Sequence, residues 1–164
     1  MKTVLTTLLF ALTLSCGALA DTIERDYQAV MHITEAHTIE VFDDSKHVVG
    51  VGKFRGLAVF ANGEVAKHRY EGWFDLTNGE GKFHGYALWQ FEDGSELRAD
   101  YDGAAVGARP SGISFKASFK TFVGTGRYTG AKVSGSYEGR RVEPVDKGGL
   151  TYLTGRLVIK KSPN

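Results

Sequence analysis

The chain has 164 residues, 20 Lys and Arg against 19 Asp and Glu, 42% hydrophobic residues, 21 glycines and a single cysteine. So even a charge balance offers no field to nucleic acid or to an anionic membrane, and one cysteine excludes disulfide staples and thiolate metal sites. What remains is a domain held together by its hydrophobic core.

In chain order, the first element is an export signal. Lys2 precedes the apolar run Val4 to Leu14, and Ala18-Leu19-Ala20 is a small-residue cleavage site. Residues 1–20 therefore read as a signal peptide, with Asp21 as the mature start and a secreted or periplasmic destination. The run falls short of the ~20 residues a spanning helix needs. Cys16, preceded by Thr13-Leu14-Ser15, offers a rival start: lipidation there would attach the chain to a membrane, which is otherwise not expected. Taking residues 1–20 from 164 leaves 144, one domain over 21–164, and since Lys2 is the only charge removed the balance becomes 19 to 19.

After the signal, short alternating runs broken by Gly, Asn and Asp replace any sustained 3.6-residue period, the pattern of an all-β domain. Strands are expected near 28–42, 47–61, 64–77, 81–91, 95–102, 111–122, 132–141 and 150–160. Ile23, Tyr27, Val30 and Met31 are also compatible with a short helix. Eight strands with one apolar face each fit a sandwich or a closed barrel. The mid-strand glycines Gly56, Gly72, Gly85, Gly135 and Gly155 favour the closed, eight-stranded antiparallel barrel, because glycine recurs where strands bend or backbones approach.

Two turns set registers. Asn62-Gly63 suggests a two-residue hairpin pairing Ala61 with Glu64, Val59 with Ala66 and Leu57 with His68, which puts His68, Tyr70, Gly72, Phe74 and Leu76 on one apolar face, with Arg55 facing Tyr70 from the neighbouring strand. A three-residue loop, Glu92-Asp93-Gly94, pairs Trp89 with Leu97 and Ala87 with Ala99. It gathers Trp89, Leu97, Ala99 and Tyr101 inside and sends Arg98, Asp100 and Asp102 outside. Ile113, Phe115, Ala117 and Phe119 alternate inward in the next strand, with Ser114, Lys116, Ser118 and Lys120 outward.

The run FKTFVGTGRYTGAKVSGSYEG, residues 119–139, poses a choice between a phosphate cradle and a corner of the sheet. Its G-x-G-x-x-x-G spacing is one residue longer than the dinucleotide fingerprint, a strand pattern follows where a helix is required, and no P-loop Gly-Lys-Ser/Thr is present. The corner is the better reading, and no cofactor is expected. The same run, FVGTGRYTGAKVSGSYEG, with FEDGSELRADYDG upstream, resembles the signature hairpins of the allene oxide cyclase and dirigent barrel superfamily over roughly residues 83–140. That resemblance implies an eight-stranded antiparallel barrel, often trimeric, with an apolar cavity. Members include cyclases of an unstable fatty-acid epoxide, dirigent proteins that orient phenoxy radicals, and secreted bacterial proteins. Lys132-Val133 departs from the plant pattern, and no catalytic residue of the cyclases is matched here.

His32, His37, His47, His68 and His84 form no H-E-x-x-H motif and no i, i+2 pair, so a metal site is not expected. No G-x-S-x-G nucleophile turn is present, and Glu71, Asp75 and Asp100 fall on the outer face. The candidate site is the inward polar set. His68 and Tyr70 are candidate acid–base groups for an isomerisation or cyclisation, and Arg55, Trp89, Tyr101, Phe74, Phe115 and Phe119 would line the site of a small hydrophobic molecule. Against this stands the plainer reading, a packed aromatic core with satisfied polar tips in a carrier or an interaction module. A cavity of several hundred Å3 would favour ligand work, and an interior filled by Phe74, Trp89, Phe115 and Phe119 a scaffold. Outside, Trp73 stands among Arg69, Glu71 and Asp75, which suits a subunit interface of a trimer or a stacking platform.

Overall fold

The computed structural model describes residues 22–42, 46–109 and 112–160, so the expected export signal and Cys16 lie outside the described residues. Eight antiparallel strands run in sequence: β1 (Thr22–Glu40), β2 (His47–Phe60), β3 (Val65–Thr77), β4 (Glu80–Phe91), β5 (Glu96–Arg109), β6 (Gly112–Gly124), β7 (Lys132–Arg141) and β8 (Thr151–Lys160). Each strand pairs with the next, and β8 returns to β1 from Thr22↔Lys160 to Met31↔Thr151, closing the barrel. Closure gives every strand a neighbour on both sides over part of its length, although residues 32–40 of β1 pair only with β2. The stretch from Ile23 to Met31 is strand and not helix, because Tyr27, Ala29 and Met31 alternate inward on β1 with Gln28 and Val30 outward. β5 also runs on to Arg109, beyond the expected 102.

The β4–β5 hairpin has the expected three-residue loop, with Gly94 at φ 80°, Trp89 opposite Leu97 and Ala87 opposite Ala99. The β2–β3 hairpin differs by one residue. Its loop is Ala61-Asn62-Gly63, closed by Gly63 N–H to Phe60 O at 2.9 Å, with positive φ only at Gly63. Val59 therefore faces Val65, Gly56 faces His68, and Arg55 faces Arg69. The slip leaves β3 as expected and turns β2 over: Phe54, Ala58 and Phe60 point inward, while Arg55, Leu57 and Val59 point to solvent.

The barrel has two unlike ends. At one, the turns 61–64, 92–95 and 125–131 meet; at the other lie the turn 78–79 and the loop 142–150. The first is sealed by the glycine-rich run. Gly126–Tyr128 is a single 3-10 turn that drops Tyr128 onto Phe91, ring centroids 5.1 Å apart. Arg127 lies 4.7 Å over Phe91, hydrogen-bonds the Tyr128 hydroxyl at 2.9 Å and pairs with Glu64. The backbone N–H groups of Thr125, Tyr128, Thr129 and Ala131 donate to Glu96 O, Thr125 O, Gly126 O and Tyr128 O, and that of Arg127 to Ser95 Oγ. With those five donors engaged, the run is a corner and a cap, not a cradle for phosphate.

Candidate functional site

Beneath the cap the interior is solid. Trp89 is fully buried, with Phe119 edge-on at 5.0 Å and Tyr27 at 5.9 Å, and Leu97, Leu157 and Ile159 complete the layer. His68 belongs to this layer. Its ring stacks on Trp89 at 4.6 Å and meets the edge of Tyr70 at 4.6 Å, and Nδ1 lies 2.9 Å from Leu88 O. A carbonyl only accepts, so the proton sits on Nδ1 and Nε2 carries a bare lone pair, enclosed and without a partner. Burial opposes the imidazolium and pulls the His68 pKa down to about 3, an effect the carbonyl offsets only in part.

Toward the other end the side chains part around a cavity of about 90 Å3 that opens to solvent there. Phe54, Phe74, Phe83, Phe115, Ala105 and Leu153 form its apolar wall, and Tyr70, Tyr101, Tyr137 and Arg141 bring polar atoms to it. The tyrosines are close-packed: Tyr70 lies 5.2 Å from Tyr101 and 5.3 Å from Tyr137. Room for Tyr101 comes from the cross-strand glycines Gly72 and Gly85, where an added Cβ would come within 2.8 and 2.5 Å of its hydroxyl. Burial raises the pKa of all three phenols, and for Tyr70 the neighbouring Tyr27 and Tyr137 add to the effect. They are neutral donors at any ordinary pH. The hydroxyls of Tyr27 and Tyr70 lie close enough to perturb one another, yet neither forms a hydrogen bond of good geometry.

Arg141, the last residue of β7, was not among the sequence candidates. Strand parity from Tyr137 through Gly139 turns it inward, its guanidinium lies 5.3 Å over the Phe54 ring, and its Nε is enclosed without a hydrogen-bond partner. Burial holds its pKa below the usual arginine value. The one available signal was that parity, hidden by Arg140 beside it, since two adjacent arginines at a strand end read as solvated.

The expected site thus divides. Tyr70, Tyr101, Phe74 and Phe115 line the cavity; His68, Trp89 and Phe119 are packed beneath it and do not line it. Arg55 is exposed on the outer wall, opposite Arg69, because the β2–β3 loop has three residues instead of two. Neither an open interior of several hundred Å3 nor a filled one is found: one half is filled and the other holds a small cavity.

A larger concavity, about 920 Å3, lies on the outside of the barrel, where Asp26 pairs with Arg156 at 2.6 Å and Lys116 with Glu138 at 3.0 Å. It is shallow, and its charges satisfy one another in solvent, so it is a weaker site than the small cavity. Elsewhere on the wall Val51, Trp73 and Tyr86 are exposed together. Compared with models of known protein families and with curated proteins, the chain matches none.

Proposed function

We propose that this chain is an exported barrel that binds a small hydrophobic molecule in the cavity at its open end, acting as a carrier in which His68 transfers no proton. One observation carries the reading: the cavity has an apolar wall of phenylalanines into which Tyr70, Tyr101, Tyr137 and Arg141 bring polar groups, an arrangement that seats an apolar body and a polar head. A buried polar group left without a partner costs ~1–3 kcal/mol, which a ligand atom reaching one of these groups would recover. The volume suits one ring or a chain of a few carbons, with any remainder of the molecule in the open mouth. An isomerisation run by His68 is the weaker alternative, because Nε2 is walled off by Trp89 and Tyr70 and the imidazole is a poor base with a pKa near 3. The resemblance of residues 83–140 to allene oxide cyclase and dirigent barrels supports an interior site, though a smaller one than a fatty-acid chain fills.

Native mass spectrometry of the protein from its own host should show a retained small molecule, and the same spectra count subunits, where the exposed Trp73 and Tyr86 favour a subunit interface and the resemblance implies a trimer. Titration calorimetry with benzyl alcohol should give saturable one-site binding. Ala105→Phe, which fills the cavity, should abolish that binding while the circular dichroism spectrum stays that of the wild type. Binding that survives the filled cavity would place the site elsewhere.

A further inference from the structure

We propose that the cavity selects small amphiphilic carboxylates, with Arg141 receiving the carboxylate and the aromatic wall receiving the apolar body. The inference rests on the ligand-binding reading above and adds the charge class of the ligand.

The other arginines that approach carboxylates do so on the outside. Arg98 pairs with Glu96 at 2.6 Å, Arg156 with Asp26 at 2.6 Å, and Arg127 with Glu64. Arg141 alone among these four is turned into the barrel, and among the described residues it makes no ion pair and no side-chain hydrogen bond. The groups facing it from the surrounding strands are Phe54 on β2, Ile113 and Phe115 on β6, Thr151 and Leu153 on β8, and the phenol of Tyr137 on its own strand. None is an anion. Thr151 donates its hydroxyl hydrogen to Gly149 O at 2.8 Å and forms no hydrogen bond with Arg141. A guanidinium held over an aromatic ring, short of its acceptors and half out of water, is an unfinished ion pair whose missing member comes from solution.

The chemistry of that member follows from the surroundings. A single cation in an apolar wall neutralises one negative charge, so a monoanion fits and a phosphate dianion would bring an uncompensated second charge. A planar carboxylate matches the guanidinium fork through two parallel N–H···O bonds. Its substituent must be apolar and short, because the space beyond is about 90 Å3 and bounded by Phe54, Phe83, Phe115 and the tyrosines. Benzoate and hexanoate have this form.

The test compares isosteres by titration calorimetry on the mature protein: benzoate against benzyl alcohol, hexanoate against hexanol, with inorganic phosphate as an anion lacking an apolar body. Wild type should bind each carboxylate at least tenfold more tightly than its alcohol and phosphate only weakly. Arg141→Met should erase the preference and leave the alcohol affinity within about twofold, so that alcohol binding also certifies the variant's fold. Arg141→Lys, which keeps the charge and loses the fork, should retain a reduced preference, and it carries the test should the methionine variant not fold. Alcohols that bind as tightly as their carboxylates would overturn the anion selectivity while leaving the barrel a ligand carrier. Phosphate competing as well as benzoate would overturn the amphiphilic class, and a folded wild type that binds none of these would overturn both readings.

Discussion

Burying His68 neutral links stability to pH with a definite sign. Its folded pKa, about 3, lies below the unfolded value of ~6.5, so the unfolded chain takes up a proton over that interval and the folded chain does not. The group costs nothing above pH 6.5. As pH falls from 6.5 toward 3 it removes up to about 1.4 kcal/mol of stability per pH unit, levelling off below 3. His68→Gln, which can still donate to Leu88 O, should lack this slope. Urea unfolding of both proteins at pH 6.5, 5.5 and 4.5, above the range of most carboxylates, should give lines that converge as pH falls; parallel lines would show that His68 charges freely in the native barrel. At this scale the sequence was readable where residue type and parity agreed, as for Tyr70, Tyr101 and Phe115. It was not readable at Arg55, which a two-residue loop would turn toward Tyr70, nor at Arg141, whose charge argued for solvent, because only the true register separates an outward arginine from an inward one.

Hairpins set that register, and the two glycine-marked turns differ in how much they reveal. Asp93-Gly94 is followed by a strand with one apolar face, so only one loop length keeps Trp89 and Leu97 together. Around Asn62-Gly63 the preceding strand, β2, is apolar on both faces: Phe54, Ala58 and Phe60 within, Leu57 and Val59 without. A two-residue and a three-residue loop then satisfy the hydrophobic pattern equally, and the choice is made by backbone geometry, positive φ at Gly63 alone. The third glycine-marked connection, 124–131, makes a sharper test of what glycine supplies. Gly126 and Gly130 both have positive φ, 58° and 72°, but a Cβ on Gly126 would come within 2.4 Å of Ser95 Oγ whereas one on Gly130 meets nothing within 4 Å. Gly130→Ala should therefore cost only the left-handed backbone penalty, about 1–2 kcal/mol. Gly126→Ala adds displacement of Ser95, the acceptor for Arg127 N–H, and should cost about 1–3 kcal/mol more in chemical denaturation. Equal losses would mean that the cap tolerates a shifted Ser95 and that backbone strain alone explains both glycines.

Closed, up-and-down connectivity makes the whole molecule a single wall, yet its contents divide into a filled half and a half that holds the cavity. The closure was legible, since eight apolar faces of similar length with mid-strand glycines have few other ways to bury themselves. The division was not, because it depends on how side-chain volumes add up at each level of the barrel, which alternation does not report. Two phenylalanines on β6 make the division measurable. Phe119 is 5% exposed and packs against Trp89 at 5.0 Å and Phe122 at 5.6 Å, whereas Phe115, four residues away on the same inward face, is half-buried and borders existing empty space. Truncating Phe119 to Ala opens a void enclosed by close-packed rings that cannot collapse, a loss of ~3–5 kcal/mol. Phe115→Ala surrenders less contact and joins its volume to a cavity already present, so roughly half that loss is expected. It should also admit a larger carboxylate, moving the preferred chain length upward from hexanoate toward octanoate, whereas Phe119→Ala should leave the preference where it is. Equal destabilisation by the two truncations would mean that the barrel is uniformly packed, and an unchanged preference in Phe115→Ala would mean that Phe115 does not bound the space the ligand's chain occupies.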